Sequence, residues 1–144
     1  MQTMISTYVN GIDEAVELYQ KAFDAKLGHT IPSEAEDCKY YHAELDIYGL
    51  DLAIAEAKYA LEFYDSPTEA GVKVFSQTER IAGNTMQICI KYNKGDGDKV
   101  RHAYEVLRDG SIAFVEIGAA LGSTCVVDFV DKFGIRWFLI ESVE

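Results

Sequence analysis

The segment at residues 39–47 carries a histidine and a glutamate two positions apart, His42 and Glu44, in the alternating sequence KYYHAELDI. Side chains two apart in a β-strand point to the same face of a sheet, so these two would be neighbours. Such a pair suits acid–base chemistry, with the imidazole as general base and the carboxylate as its orienting acid. The alternative is a hydrogen-bonded polar face without a catalytic role, and the sequence leaves both interpretations open.

A second alternating segment, TMQICIKY, places Gln87, Cys89 and Lys91 on one face of a strand. A neighbouring lysine can lower the pKa of a thiol and make it nucleophilic. No suitably spaced histidine motif accompanies Cys89, and buried cysteine is common packing, so we expect packing. The three cysteines of the chain are widely spaced, without a Cys-x-x-Cys pair, which indicates reduced thiols rather than a zinc knuckle or a disulfide framework.

Composition narrows the class of partner. The chain has 144 residues, which suits one domain, and a formal net charge of -11. A surface this acidic repels phosphate backbones and anionic lipid headgroups, so we expect neither nucleic acid nor a membrane as partner. No apolar run approaches the ~20 residues that span a bilayer. The N-terminus also lacks the pattern of a secretory leader, so we expect a cytoplasmic protein.

The pattern of apolar residues predicts the same elements in two halves. The first half has predicted strands and one helix, namely strand 3–9, helix 11–24 and strands 29–31, 39–47 and 50–57. The second half repeats this order, namely strand 85–92, helix 98–108 and strands 111–117, 125–130 and 135–142. The buried stripe of helix 98–108 is predicted to consist of Val100, Ala103, Tyr104 and Leu107. Asn10 is predicted to cap the first helix. Residues 59–83 are predicted to be a linker or lid, with a helical turn after Pro67.

The order β-α-β-β-β occurs twice, which predicts an internal repeat. A shift of 83 residues places Met4 on Gln87 and Ala55 on Phe138, and a shift of 85 aligns the two helices. We therefore predict an α+β fold in a single domain, residues 1–144. It consists of two βαβββ modules, 1–58 and 84–144, which form a curved mixed sheet with helices on the outer face.

Three segments of the chain resemble one family. The glyoxalase/bleomycin-resistance superfamily, also called vicinal oxygen chelate proteins, opens with a segment that is similar to YVNGIDEAVELYQKAFDAKL. The strand pair of its PhnB-like branch resembles HAELDIYGLDLAIAEA, and that branch typically has a histidine at the place of His42 and an acid at that of Glu56. Its closing hairpin, with an Asp-x-Phe-Gly-x-x-Trp pattern, resembles VVDFVDKFGIRWFLIES. The resemblance implies the glyoxalase/bleomycin-resistance/dioxygenase fold and a homodimer.

The resemblance also implies where a metal would bind. Metal enzymes of this superfamily hold a divalent ion with inward side chains from the first and last strands of each module. The matching positions here are Met4, Ala55, Gln87 and Phe138. Only Gln87 offers an oxygen donor, and one neutral amide does not hold a divalent ion against water, so we expect no metal cofactor. A slip of one residue in strand 50–57 would instead give a fallback set of metal ligands, Glu56, His42 and Gln87.

The leading functional hypothesis is metal-free binding of a small organic ligand in a sheet cleft, shared between the modules or across a homodimer. The predicted ligand-binding residues share the inner face of the strands and are Met4, Ser6, Tyr8, His42, Glu44, Ala55, Gln87, Cys89, Lys91 and Phe138. Two alternatives stay open. One is a metal-dependent lyase, isomerase or dioxygenase, and the other is a non-catalytic structural or interaction protein.

Overall fold

The computed structural model describes residues 1–63, 65–75 and 85–144. The chain divides into two compact units, one formed by Met1–Gln20 and Asp24–Arg80 and the other by Lys21–Phe23 and Ile81–Glu144. Each unit holds the sheet of one predicted module, and the last residues of the first helix belong to the second unit.

The first module is built on a four-stranded sheet. Its elements in chain order are β1 (Ile5–Val9), α1 (Ile12–Phe23), β2 (Lys26–Pro32), β3 (Tyr40–Ile47) and β4 (Leu50–Glu56). The strands lie in the order β1-β4-β3-β2, with β1 parallel to β4 and the other pairs antiparallel. All five predicted elements are present, and β2 is longer than the strand predicted at 29–31.

Two short helices follow the first sheet. A 3-10 helix spans Ala57–Phe63, and α2 spans Glu69–Phe75. The helical turn predicted after Pro67 is confirmed by α2, where Thr68 Oγ1 accepts a hydrogen bond of 3.0 Å from the backbone N–H of Gly71. The rest of the predicted linker or lid, at 64 and 76–83, lies outside the described residues.

The second module repeats the first. Its elements are β5 (Ile88–Tyr92), α3 (Gly97–Leu107), β6 (Ile112–Ala120), β7 (Ser123–Val130) and β8 (Arg136–Glu141). The strand order β5-β8-β7-β6, with β5 parallel to β8, is that of the first sheet. The predicted α+β class and the repeated βαβββ order are confirmed.

One face of each sheet is apolar and buried. In the first sheet, β3 alternates as predicted, with buried Ala43, Leu45 and Ile47. The predicted stripe of α3 is also confirmed, because its buried residues include Val100, Ala103, Tyr104 and Leu107. In the second unit, Tyr104 packs edge to face on Phe129 with ring centroids 5.0 Å apart. Binary patterning therefore predicts which face of these elements is buried.

The Asp-x-Phe-Gly-x-x-Trp pattern builds the turn between β7 and β8. One carboxylate oxygen of Asp131 accepts hydrogen bonds from the backbone N–H groups of Phe133, at 2.9 Å, and Ile135, at 3.1 Å. The other oxygen accepts the indole N–H of Trp137 at 2.9 Å. Gly134 has a φ of 88°, a conformation that favours glycine. The motif is therefore a structural clamp that fixes the hairpin and orients a fully buried tryptophan.

A buried carboxylate, rather than Asn10, supports the start of α1. The N-cap residue is Gly11, which has no side chain that could accept a capping hydrogen bond. Glu56, at the end of β4, instead accepts hydrogen bonds from the backbone N–H of Gly11 at 3.0 Å and of Ile12 at 2.8 Å. The prediction that Asn10 caps this helix was wrong. The acceptor comes from the other end of the module, and the residues around the start of a helix carry no information about such a distant partner.

The strand pairing corrects the predicted alignment of the two modules. Ile5 of β1 pairs with Leu52 of β4, and the matching Ile88 of β5 pairs with Trp137 of β8. The last strands of the two modules therefore align with a shift of 85 residues, from 52 to 137, rather than 83. This shift places Glu56 on Glu141, which likewise accepts a hydrogen bond at the start of a helix, 2.7 Å from the backbone N–H of Gly95. Both modules therefore have a carboxylate at the end of the last strand that binds the segment leading into the helix.

Glu141 gives an expected pH dependence. Hydrogen bonds from the Thr124 hydroxyl and from the backbone N–H of Gly95 lower the pKa of Glu141 below its ordinary value. Because the folded carboxyl holds its proton less tightly than the unfolded one, the stabilisation is present above the unfolded pKa and is lost as the pH falls through the folded pKa. We expect the stability difference between wild type and Glu141→Gln to shrink as the pH is lowered from neutral to below the ordinary glutamate pKa of about 4.3. Urea unfolding across this range measures it, and a constant difference would contradict the assignment.

No helix within the described residues is long and apolar enough to cross a membrane.

Candidate functional site

Strand pairing places four predicted ligand-binding residues around two alanines on the polar face of the first sheet. Tyr8 of β1 and His42 of β3 both pair with Ala55 of β4. Ser6 and Glu44 both pair with Ala53 in the same way. Neighbouring strands lie about 4.8 Å apart, so the flanking residues stand about 10 Å apart across the alanines.

We call this arrangement the alanine trough, with Ala53 and Ala55 as its floor, Ser6 and Tyr8 as one wall, and His42 and Glu44 as the other. A methyl side chain is the smallest that a strand can present apart from glycine, so the floor lies low between taller walls. Tyr8 is 47% exposed, whereas Ala53 is only 2% exposed. The trough therefore combines an apolar floor, an accessible aromatic ring and polar side chains.

The polar wall holds an ordered histidine. His42 Nε2 lies 3.2 Å from Glu44 Oε1, and the two side chains are 25% and 20% exposed. The ring of His29, from β2, lies 6.3 Å from that of His42, measured between centroids. His29 is exposed, and its position near this pair could not be predicted from alternation because the register between Leu27 and Thr30 is irregular. Only the strand pairing could have revealed it.

The equivalent positions of the second sheet carry bulky side chains. With the shift of 85 residues, Ala53 matches Phe138 and Ala55 matches Ile140. Phe138 pairs with Cys89, and Ile140 pairs with Lys91, so all four share the polar face. No trough like that of the first sheet can form on a floor of phenylalanine and isoleucine.

The polar face of the second sheet also contains an ion pair that the sequence did not reveal. Arg136 Nε and Nη2 donate to the two carboxylate oxygens of Asp128 at 2.9 and 2.8 Å. The guanidinium lies 4.8 Å from the ring centroid of Phe114. The hydrogen bonds with Asp128 raise the pKa of Arg136 above its ordinary value. Since the carboxylate neutralises the guanidinium, this cluster offers less to an anionic ligand than a lone arginine would.

The positions that the resemblance assigns to metal ligands do not fit a divalent ion. Ala55 and Phe138 carry no donor atom, and Met4 offers only a thioether, which suits soft ions. Gln87 lies in the second unit, just before β5, and is the one oxygen donor of the four.

The fallback set of metal ligands does not gather either. Glu56 follows Ala55 in β4 and binds the start of α1, whereas His42 lies opposite Ala55 on the polar face. Glu56 and His42 therefore lie on opposite faces of the first sheet, and the one-residue slip that would bring them together does not occur. Across residues 1–63, 65–75 and 85–144, no three His, Cys, Asp or Glu side chains are grouped so as to hold a metal ion.

Cys89 is exposed, so the expectation that it packs in the interior was wrong, but its thiol is poorly activated. Desolvation raises the pKa of its thiol above the ordinary value, and the attraction of Lys91 offsets only part of this rise. In a Cys38→Ala background, we expect alkylation by iodoacetamide to become half-maximal above the ~8.5 of a free cysteine. Lys91→Ala should move this midpoint higher still. A midpoint below that of free cysteine, measured by a pH series, would restore the nucleophile hypothesis.

Several solved structures share the fold at low sequence identity. A PhnB protein from Bacillus cereus matches with a TM-score of 0.70 at 13% identity, covering 99% of this chain and 100% of that one. A glyoxalase/bleomycin resistance protein/dioxygenase from Nocardioides matches with a TM-score of 0.59 at 18% identity, covering 100% and 85%. No family model and no curated protein matches the sequence.

A third structure contains a bound small molecule. It is a mutant of the fosfomycin resistance protein FosX from Listeria monocytogenes, complexed with Mn(II) and 1S,2S-dihydroxypropylphosphonic acid. It matches with a TM-score of 0.58 at 18% identity, covering 100% of this chain and 92% of that one. The resemblance read from the sequence is confirmed at the level of the fold, and this chain has the glyoxalase/bleomycin-resistance/dioxygenase fold.

Proposed function

We propose that the protein binds a small organic molecule, without a metal ion, in the alanine trough of its first sheet. The observation that carries this proposal is the contrast between the two modules at matching positions. The first module has Ala53 and Ala55 where the second has Phe138 and Ile140, so the first sheet presents short side chains beside its polar residues and the second presents bulky ones.

The walls define the kind of ligand. Sites for small molecules are mostly apolar, with a few polar groups that fix orientation. Tyr8 is 47% exposed, so part of its side chain is within reach of a ligand, and the Ser6 hydroxyl and the His42–Glu44 pair offer donors and acceptors. A flat organic molecule with at least one polar group at its edge matches this combination, and the backbones of the flanking strands, about 10 Å apart, limit it to one ring system.

The comparisons support the class of function and not its details. The FosX mutant holds a small organic molecule together with Mn(II). In the present chain, three of the four positions matched by the resemblance lack an oxygen or nitrogen donor in the side chain, so we propose ligand binding without that ion. The ligand would then be held by stacking and hydrogen bonds alone.

A fragment screen tests the proposal. Flat aromatic compounds are tested by thermal shift on EDTA-treated protein, because a compound that binds only the folded state raises the melting temperature. We expect hits whose affinity falls at least about tenfold in Ala55→Leu, which fills the floor, and is unchanged in Ala119→Leu, an exposed control on β6. Hits that bind Ala55→Leu equally well would overturn the site. Hits that require Zn(II) or Mn(II) would favour a metal-dependent enzyme, and a trough that binds nothing would favour a structural protein.

A further inference from the structure

The hydrogen bond between His42 and Glu44 fixes which nitrogen of the imidazole carries the proton. An ionised carboxylate can only accept hydrogen bonds, so Nε2, 3.2 Å from Glu44 Oε1, is the donor. A neutral imidazole has one N–H, which leaves Nδ1 with a lone pair. In the neutral form of His42, the pair therefore presents an unprotonated nitrogen, Nδ1, on a ring that the carboxylate orients.

The surroundings of the pair differ from those of an ordinary polar sheet surface. His42 lies beside Ala55, whose side chain is short, and Tyr8 lies on the far side of that alanine. Both members of the pair are only partly exposed, at 25% and 20%. Part of the imidazole therefore borders the space of the trough, where a bound molecule would lie, and part is shielded from water.

We infer that His42 is a general base that removes a proton from the molecule bound in the alanine trough, with Glu44 as the positioning residue. This inference rests on the proposed function and adds a reaction class to it. The substrate class is a flat organic molecule with an acidic C–H or O–H bond. That bond breaks, its electron pair stays on the molecule, and the proton moves to Nδ1. The imidazolium that forms is stabilised by Glu44, and the proton returns to another atom of the molecule, so the net reaction is an isomerisation that needs no cofactor.

Proton abstraction can be tested without the natural substrate by using nitrobenzisoxazole as a flat probe. A base removes its ring C–H proton, the N–O bond breaks, and the electron pair ends on oxygen as a coloured cyanonitrophenolate. We expect His42→Gln to lower the protein-dependent rate by about 100-fold, the usual contribution of a general base. His102→Gln is the matched control, because His102 is an exposed histidine on α3 whose ring hydrogen-bonds the backbone carbonyl of Lys21.

Two further measurements separate catalysis from structure. Added imidazole should restore the rate in His42→Ala, which a merely structural role would not allow. Glu44→Gln should lower kcat with little change in KM, because it disturbs the orientation of the base and not the floor of the trough. The neighbouring His29→Gln should retain most of the rate, since the inference assigns the base to His42 alone.

The outcomes distinguish this inference from the proposed function on which it rests. If thermal shift shows that the probe binds and Ala55→Leu weakens it, but His42→Gln leaves the rate unchanged, the general base is refuted and ligand binding stands. The same holds if imidazole fails to rescue His42→Ala in a folded variant. If the probe does not bind while other flat compounds do, the inference is contradicted and ligand binding stands, whereas a trough that binds no flat compound contradicts both.

Discussion

Asp131→Ala is expected to lower the free energy of unfolding by about 3–5 kcal/mol. The substitution leaves two backbone N–H groups and the indole N–H of Trp137 without their acceptor. Asp131 is 4% exposed and Trp137 is fully buried, so bulk water has little access to these three donors. Each buried donor that loses its partner costs about 1–3 kcal/mol. Urea or guanidinium unfolding measures the loss.

Two variants control this experiment. Asp131→Asn keeps one oxygen acceptor and should lose about half as much stability as the alanine variant. Asp109→Ala removes an exposed aspartate and should change stability by less than about 0.5 kcal/mol. A loss in Asp131→Ala no larger than that in Asp109→Ala would show that the motif is not the clamp described.

Glu56→Ala is expected to lower the free energy of unfolding by about 2–3 kcal/mol, because Gly11 and Ile12 lose the acceptor for their backbone N–H groups. Glu56→Gln retains an oxygen and should lose less. Chemical unfolding measures both, with the exposed Glu36→Ala as the control.

Unchanged stability in Glu56→Ala would contradict this role and bear on the fallback set of metal ligands, to which Glu56 belongs. A variant that keeps its stability but loses a bound metal ion would make Glu56 a ligand.

Local patterns were sufficient for the elements and their faces. The helical spacing of α3 predicted four of its buried residues, and the alternation in β3 predicted which side chains share the polar face. These features depend on neighbours within a few positions of the chain, where the periods of 3.6 and 2 residues act directly. The same reasoning placed His42 and Glu44 on one face, and the structure brings them into hydrogen-bonding distance.

Features set by pairing between distant segments were harder to predict. The repeat shift of the closing strands was two residues short, which preserved the faces but matched Ala55 with Phe138 instead of Ile140. The contrast between the two floors was therefore not visible from the sequence. The role of Glu56 was missed for a similar reason, since its partners lie about 45 positions earlier in the chain. The homodimer implied by the resemblance stays a prediction.

The most direct test of ligand binding in the trough is NMR of the alanine methyl groups during titration of EDTA-treated protein with flat aromatic compounds. We expect at least one compound to shift the methyl signals of Ala53 and Ala55 while those of Ala119 and Ala120, on β6, stay in place. The contrary result would be no shift at the two floor alanines with any compound, or a shift that appears only after Mn(II) or Zn(II) is added. Either would contradict metal-free binding of a small molecule at this site.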